Sequence, residues 1–115
     1  MIEVDNLMIG DLVQIDGQFA QVSEIRYNII AVQFSDGYDV FEPKNIDLIP
    51  LTSEMLEKNG FKFTDPWYEF DNFGVIFNEN GIRCSITGKM SLYIHYVNEL
   101  QHALKLFGIK KEIVL

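Results

Sequence analysis

The sequence predicts an α+β protein that is mostly β: an N-terminal SH3-like small barrel or bent sheet, a short connecting helix, and an antiparallel β-meander capped by a C-terminal helix. Asp-Gly or Asn-Gly pairs separate short apolar runs at three places, which is a strong hairpin signal. Helix signals follow Pro50, and apolar residues near the C-terminus recur at helical spacing. We expect an acidic module of residues 1–50 and a second part of residues 51–115, either separate or packed as one compact unit.

Two hairpins are predicted in the first half. Their strands are residues 11–15 with 18–25, and residues 29–34 with 38–41. Asp16-Gly17 and Asp36-Gly37 supply the turns, because glycine adopts positive φ without steric cost. Pro43 then interrupts the pattern, since proline has no N–H for a ladder. Residues 46–51 are expected to form a closing strand or a 3₁₀ turn.

A short helix is predicted to join the two halves. Thr52 is a favourable N-cap, Glu54 lies in the first turn, and Asn59-Gly60 can end the helix. A meander follows, with strands at residues 61–63, 67–70, 73–77 and 82–86 and an edge strand at 92–94. Residues 61–77 contain seven aromatic residues, most of which we expect in the core beneath the last helix.

The last predicted element is an amphipathic helix that ends at Gly108. Its apolar positions are Tyr96, Val97, Leu100, Leu104 and Phe107. Its polar positions are Asn98, Glu99, Gln101, His102 and Lys105. The apolar stripe is expected to pack across the meander.

The net charge of −8 is unevenly distributed along the 115 residues. Residues 1–50 hold nine acidic and two basic residues, whereas residues 51–115 hold eight acidic and seven basic residues. An acidic first half repels phosphate, so no direct binding of nucleic acid is expected. A single cysteine excludes an internal disulfide, no apolar run is long enough to cross a membrane, and no signal peptide is expected. A cytoplasmic protein is expected.

We find no catalytic constellation, and therefore expect no enzyme activity, no cofactor and no metal. His95 and His102 lie two helical turns apart, about 10 Å, which is too far to share one ion. Cys84 alternates with Ile82 and Ile86 on a buried strand face, where a thiol behaves as a small apolar group. The Thr-Gly-Lys sequence at residues 87–89 lacks the other residues of a phosphate loop and predicts a turn.

Three segments resemble a family of small uncharacterised bacterial proteins found in prophages and mobile elements. They are Ile9-Gly10-Asp11-Leu12-Val13, then residues 49–61 with the pattern I-P-L-T-x-E-x-L-x-K-x-G-F, and Tyr96-Val97-Asn98-Glu99-Leu100-Gln101. The chain departs from the family pattern at Met55, where tryptophan is usual, and at Asn98, where histidine is common. The resemblance implies a mobile-element origin and supports the architecture, but the family has no established activity that it could transfer.

The leading functional hypothesis is a non-enzymatic module that binds a protein partner. The candidate binding residues are Asp11, Asp16, Asp36, Asp39, Glu42, Trp67 and Tyr68. One alternative is an acidic regulator that mimics DNA and occupies a basic site on a host protein. The other is a small hydrolase that uses Glu69, Asp71 and a metal. An open edge strand, at residues 61–63 or 92–94, would also permit a homodimer.

Overall fold

The structure, a computed structural model, describes residues 6–86 and 90–115. The chain divides into two compact units, Met1–Ile49 and Pro50–Leu115. The described strands form two antiparallel sheets, and a helix lies near the C-terminus, which confirms the mostly β, α+β class. Glu3 and Asp5 and the turn predicted at residues 87–89 lie outside the described residues.

The first unit contains an antiparallel meander. Its described strands, in spatial order, are β1 (Leu12–Ile15), β2 (Gln18–Arg26), β3 (Ile29–Phe34) and β4 (Gly37–Phe41). Both predicted hairpins are confirmed. In the first of them Asp16 and Gly17 have φ of 49° and 81°, the pair of positive angles that a type I′ turn requires.

The predicted SH3-like barrel is not confirmed, because the strands described in the first unit do not close into a barrel. A 3₁₀ turn follows β4 at Pro43–Asn45. It therefore lies before residues 46–51, where a closing strand or a 3₁₀ turn was expected. Beyond it, Asp47 forms an isolated bridge to Gln14 of β1, with both N–H···O distances at 2.9 Å. The chain therefore returns to the free side of β1 but pairs with it at one described position only.

Alternating apolar residues build the core of the first unit. Its buried members are Leu7, Val13, Ile15, Ala20, Val22, Ile30, Val32 and Ile46. On β2 the alternation is interrupted by a bulge between Val22 and Glu24. Because the bulge adds one residue, Ile25 returns to the core side three positions after Val22.

The second unit begins with a helix and continues as a meander capped by a second helix. Its described elements are α1 (Ser53–Lys58), β5 (Lys62–Thr64), β6 (Trp67–Phe70), β7 (Phe73–Asn78), β8 (Gly81–Ile86), β9 (Met90–Ile94) and α2 (Val97–Leu106). The strands pair in sequence order, so β5 and β9 are the edges of the described sheet. Thr52 caps α1 as predicted, accepting a hydrogen bond from the Met55 N–H at 3.4 Å.

The buried side of α2 differs from the predicted stripe at Tyr96, Asn98 and Ala103. Its buried residues are Val97, Asn98, Leu100, Ala103 and Leu104. Tyr96 is instead an exposed N-cap residue, and Asn98, expected on a polar face, is buried. Glu99 accepts hydrogen bonds from the N–H groups of His95 and Tyr96 at 2.7 and 3.0 Å, which fixes the start of the helix.

Two sets of hydrogen bonds tie separate segments of the second unit together. The Leu51 N–H donates to the His95 carbonyl at 3.1 Å, beside a bridge between Pro50 and Tyr96. The Asn59 side chain holds the C-terminal segment, because its Nδ2 donates to the Val114 carbonyl at 2.8 Å and its Oδ1 accepts from the Val114 N–H at 2.7 Å. Residues of the middle and last motifs therefore have architectural roles.

Candidate functional site

Asp11 is a structural residue, so its prediction as a partner-binding residue is wrong. It is 0% exposed, and its Oδ2 accepts a hydrogen bond from the Met8 N–H at 2.9 Å. The Asp11 N–H donates back to the Met8 carbonyl at 3.1 Å. A carboxylate that caps a tight turn in this way has its hydrogen-bonding capacity directed inward. The signal available in the sequence was Gly10, whose φ of 97° marks the turn.

The other four predicted acidic residues of the first unit, Asp16, Asp36, Asp39 and Glu42, are exposed. Asp16 and Asp36 lie in the β1–β2 and β3–β4 turns. In a meander these turns are at the same end, two strand spacings or about 10 Å apart. Asp39 lies on β4, where its Oδ1 accepts from the Val40 N–H at 2.8 Å. Glu42 follows β4 at the opposite end of the sheet.

Basic side chains neutralise part of this acidity. Glu24 Oε1 lies 2.6 Å from Arg26 Nε, and Glu42 Oε2 lies 3.5 Å from Lys44 Nζ. Both pairs are exposed, so they contribute little to stability. The described carboxylates occur at both ends of the sheet and two of them are paired. They do not form the single ordered row of charge on which DNA mimicry depends.

Three aromatic rings form a continuous exposed cluster on one face of the second sheet. Phe63 and Tyr68 are cross-strand partners on β5 and β6, with ring centroids 4.8 Å apart. Phe77 of β7 packs edge-on against Tyr68 at 5.8 Å. Phe63 is 51% exposed, Phe77 is 36% exposed, and Tyr68 is half-buried. We call these three residues the aromatic corner.

The aromatic corner lies on the face that carries the core, outside the area that α2 covers. Along β7, Phe73, Val75 and Phe77 project to this face, but only Phe73 and Val75 are buried. A helix of ten residues is about 15 Å long and about 10 Å wide with its side chains. Five strands span about 19 Å, and the six residues of β7 extend about 20 Å. These dimensions leave part of the face outside α2, and the exposure of Phe63 and Phe77 shows that the other described segments do not cover it completely.

The sequence predicts Tyr68 as a candidate anchor and most of its aromatic neighbours as core residues. Phe63 and Phe77 were missed as exposed residues. The signal that would have found them is the mismatch in size between one predicted helix and a sheet face that is apolar across all its strands.

Trp67, predicted together with Tyr68, lies on the opposite face of the sheet, because neighbouring residues of a strand alternate. Its ring covers Gly74, where a Cβ atom would come within 3.0 Å of Trp67 Cε3. The ring borders an open concavity of about 290 Å³. The concavity is lined by Trp67, Glu69, Asp71, Asn72, Phe73, Gly74 and Ser85. Trp67 and Tyr68, both candidate binding residues, therefore lie on different surfaces of the sheet.

Glu69 and Asp71, the carboxylates of the hydrolase alternative, border the same concavity but do not lie on one strand. β6 ends at Phe70, and Asp71 occupies the following turn with a φ of 54°. Among the described residues, no group of three or more His, Cys, Asp or Glu side chains could hold a metal ion. Within the part of the chain that the structure describes, the pair thus has no third His, Cys, Asp or Glu beside it to complete a metal site.

Cys84 is buried in the middle of β8, as its alternation with Ile82 and Ile86 predicts. Burial raises the pKa of its thiol from 9.0 to about 11. The thiol is therefore protonated and weakly nucleophilic at neutral pH. A structural role, rather than a catalytic one, agrees with this environment.

This pKa predicts a loss of stability at alkaline pH. The pKa of Cys84 is about 11 in the folded state and 9.0 in the unfolded chain. The contribution of the protonated thiol to the free energy of unfolding is therefore fully present below pH 9.0 and is lost as the pH rises toward about 11. The shift corresponds to at most about 3 kcal/mol. The measurement is the free energy of unfolding of the wild type and Cys84→Ala from about pH 8 to pH 11. The difference between them should narrow with rising pH, and a constant difference would contradict the prediction.

The two histidines occupy different surroundings. His95 is exposed, with Nδ1 3.9 Å from Glu99 Oε1. His102 borders an open groove between β9 and α2 with a volume of about 380 Å³. The groove is lined by Leu92, Tyr93, Ile94, Glu99, His102, Ala103 and Leu106.

No helix in the described part of the chain is long and apolar enough to span a membrane. Comparisons of the chain with protein-family models, curated proteins and solved structures found no match. The resemblance to mobile-element proteins thus stays a prediction from its motifs.

Proposed function

We propose that the chain is a non-enzymatic protein-interaction module that acts in the cytoplasm and docks its partner on the aromatic corner. The observation that carries this proposal is the mutual contact of Phe63, Tyr68 and Phe77 on an exposed sheet face. Aromatic residues are enriched at protein interfaces, where a rigid ring buries a large area at low cost in conformational entropy.

The arrangement supplies what a binding surface needs before the partner arrives. Contacts between the rings limit their freedom, so little further ordering is required on association. The rings also adjoin β5, whose three residues are all exposed and which is an edge of the described sheet. Tyr68 adds a hydroxyl that can exchange a hydrogen bond with a partner.

The first unit supports the proposal through its charge. Its excess of carboxylates attracts a partner of positive potential and accelerates encounter, an effect that salt weakens. We propose an SH3-like fold for this unit, supported by the 3₁₀ turn and by the bridge that returns Asp47 to β1. The mobile-element origin is proposed on the motif resemblance alone.

The proposal predicts that partner capture depends on the aromatic corner. Immobilised wild type and the double variant Phe63→Ser/Phe77→Ser would be exposed to lysate of the source cell at low salt, and retained proteins quantified by mass spectrometry. Each ring is expected to act as a hot spot of about 1–2 kcal/mol, so the double variant should retain the partner at least about tenfold less.

The matched control is Tyr38→Ser, which removes an exposed ring from β4 of the first unit. This variant should retain the partner as the wild type does. Circular dichroism of all three proteins tests that each remains folded. Equal capture by the double variant and the wild type would refute the aromatic corner as the docking surface, and no capture above background would refute the interaction module.

A further inference from the structure

The end of the sheet that carries the aromatic corner also carries two carboxylates. The β5–β6 turn contains Asp65, and the β7–β8 turn contains Glu79. In an antiparallel meander these turns are at the same end. Phe63 lies two residues before Asp65, and Phe77 lies two residues before Glu79. Both carboxylates are exposed, so they add negative charge to the end of the sheet at which the rings lie.

The same sheet face already accommodates a cation on an aromatic ring. Lys111 Nζ lies 5.3 Å from the centroid of the Phe70 ring. Phe70 lies two residues after Tyr68 on β6, so both rings project to one side of the sheet. The negative faces of aromatic rings attract ammonium and guanidinium groups, which explains this internal contact.

The aromatic corner has rings and carboxylates but receives no such contact from the described basic residues. Lys62 precedes Phe63, yet strand alternation directs it to the opposite face, where its cross-strand partner is Glu69. Rings and carboxylates without a described cation form a surface complementary to positive charge.

We infer that the aromatic corner binds a lysine or arginine side chain presented by a basic segment of a protein partner. The faces of Phe63, Tyr68 and Phe77 take the alkyl stem and the cation, and Asp65 and Glu79 flank its charge. This inference rests on the proposed function, and it specifies that the binding segment of the partner is basic. An arginine suits the site best, because its planar guanidinium stacks on rings and is weakly hydrated.

A direct test compares two short capped peptides, one alternating threonine with arginine and the other with citrulline in place of every arginine. Citrulline keeps the shape and removes the charge. Binding is followed by NMR of the aromatic rings in about 0.15 M salt, where the screening length is about 8 Å. The arginine peptide should shift the resonances of the three corner rings and bind about tenfold more tightly than the citrulline peptide.

Variants separate the ring and carboxylate contributions. Phe77→Leu keeps apolar area but removes a ring face, and should weaken the arginine peptide about threefold. Asp65→Asn with Glu79→Gln should weaken it by a similar factor, while Glu69→Gln on the opposite face should have no effect. Equal affinity for the two peptides, or shifts confined to the first unit, would overturn the inference.

The outcomes also separate this inference from the proposed function. Partner capture that depends on the corner, combined with no preference for arginine over citrulline, would remove the cationic occupant and retain the interaction module. If partner capture does not depend on the corner and the arginine peptide is not preferred, both proposals are refuted.

Discussion

Replacing Phe73 by alanine will destabilise the second unit by about 4 kcal/mol. Phe73 is 0% exposed, and its ring centroid lies 5.8 Å from that of Phe107 and 6.3 Å from that of Phe61. The substitution removes these contacts and leaves a cavity beneath the C-terminal helix, and rigid neighbours close such a cavity only in part. Trp67, the only tryptophan of the chain, lies in this unit and reports its urea unfolding by fluorescence.

The matched control is Phe77→Ala, which removes the same ring from the same strand and the same face. Because Phe77 is partly exposed, its loss should cost about 1 kcal/mol. The pair separates stability from binding, since the buried ring is needed for folding and the exposed ring is proposed for docking. Equal costs for the two substitutions would mean that the burial difference along β7 is absent in solution.

Replacing Asn59 by alanine will cost about 3 kcal/mol and free the C-terminal segment. Asn59 is buried, and besides its two hydrogen bonds to Val114 its Nδ2 donates to the Met55 carbonyl at 2.7 Å. Loss of the amide leaves the N–H and the carbonyl of Val114 without this partner and loosens the packing of the buried Ile113. The measurements are the free energy of unfolding in urea and the rate at which carboxypeptidase removes C-terminal residues.

Asn78→Ala provides the comparison for this prediction. The Asn78 side chain is exposed and accepts one hydrogen bond, from the Asn80 N–H at 2.9 Å. Its removal should cost about 0.5 kcal/mol and leave carboxypeptidase digestion unchanged. If both variants are digested at the wild-type rate, Asn59 does not hold the C-terminal segment.

The sequence predicts a turn or a helix end well where the conformational preference or the hydrogen-bonding group of one residue specifies that structure. Asp16-Gly17 specifies a turn because both positions need positive φ, and Thr52 specifies a helix start because its hydroxyl accepts a free N–H. Closure of the first sheet was not predictable in this way. It depends on how many residues after Pro43 pair with β1, and no local pattern encodes that number.

The candidate site was only partly predictable. Tyr68 stays a predicted anchor, and its place on a strand follows from the pattern, but exposure of Phe63 and Phe77 depends on which part of a five-stranded face is covered, which alternation alone does not specify. Asp11 failed for the opposite reason. Its charge indicated the surface, whereas its carboxylate serves the backbone of a turn.

Because Cys84 is buried, the native protein should give no background reaction with thiol-specific labels. With its only native thiol inaccessible and protonated at neutral pH, a maleimide dye should react only at a cysteine introduced on the surface. A single exposed cysteine, at Tyr38 on one unit or at Thr64 beside the rings on the other, would then carry a fluorophore without prior removal of the native residue. Distances between the protein and a captured partner become measurable on an otherwise unaltered chain.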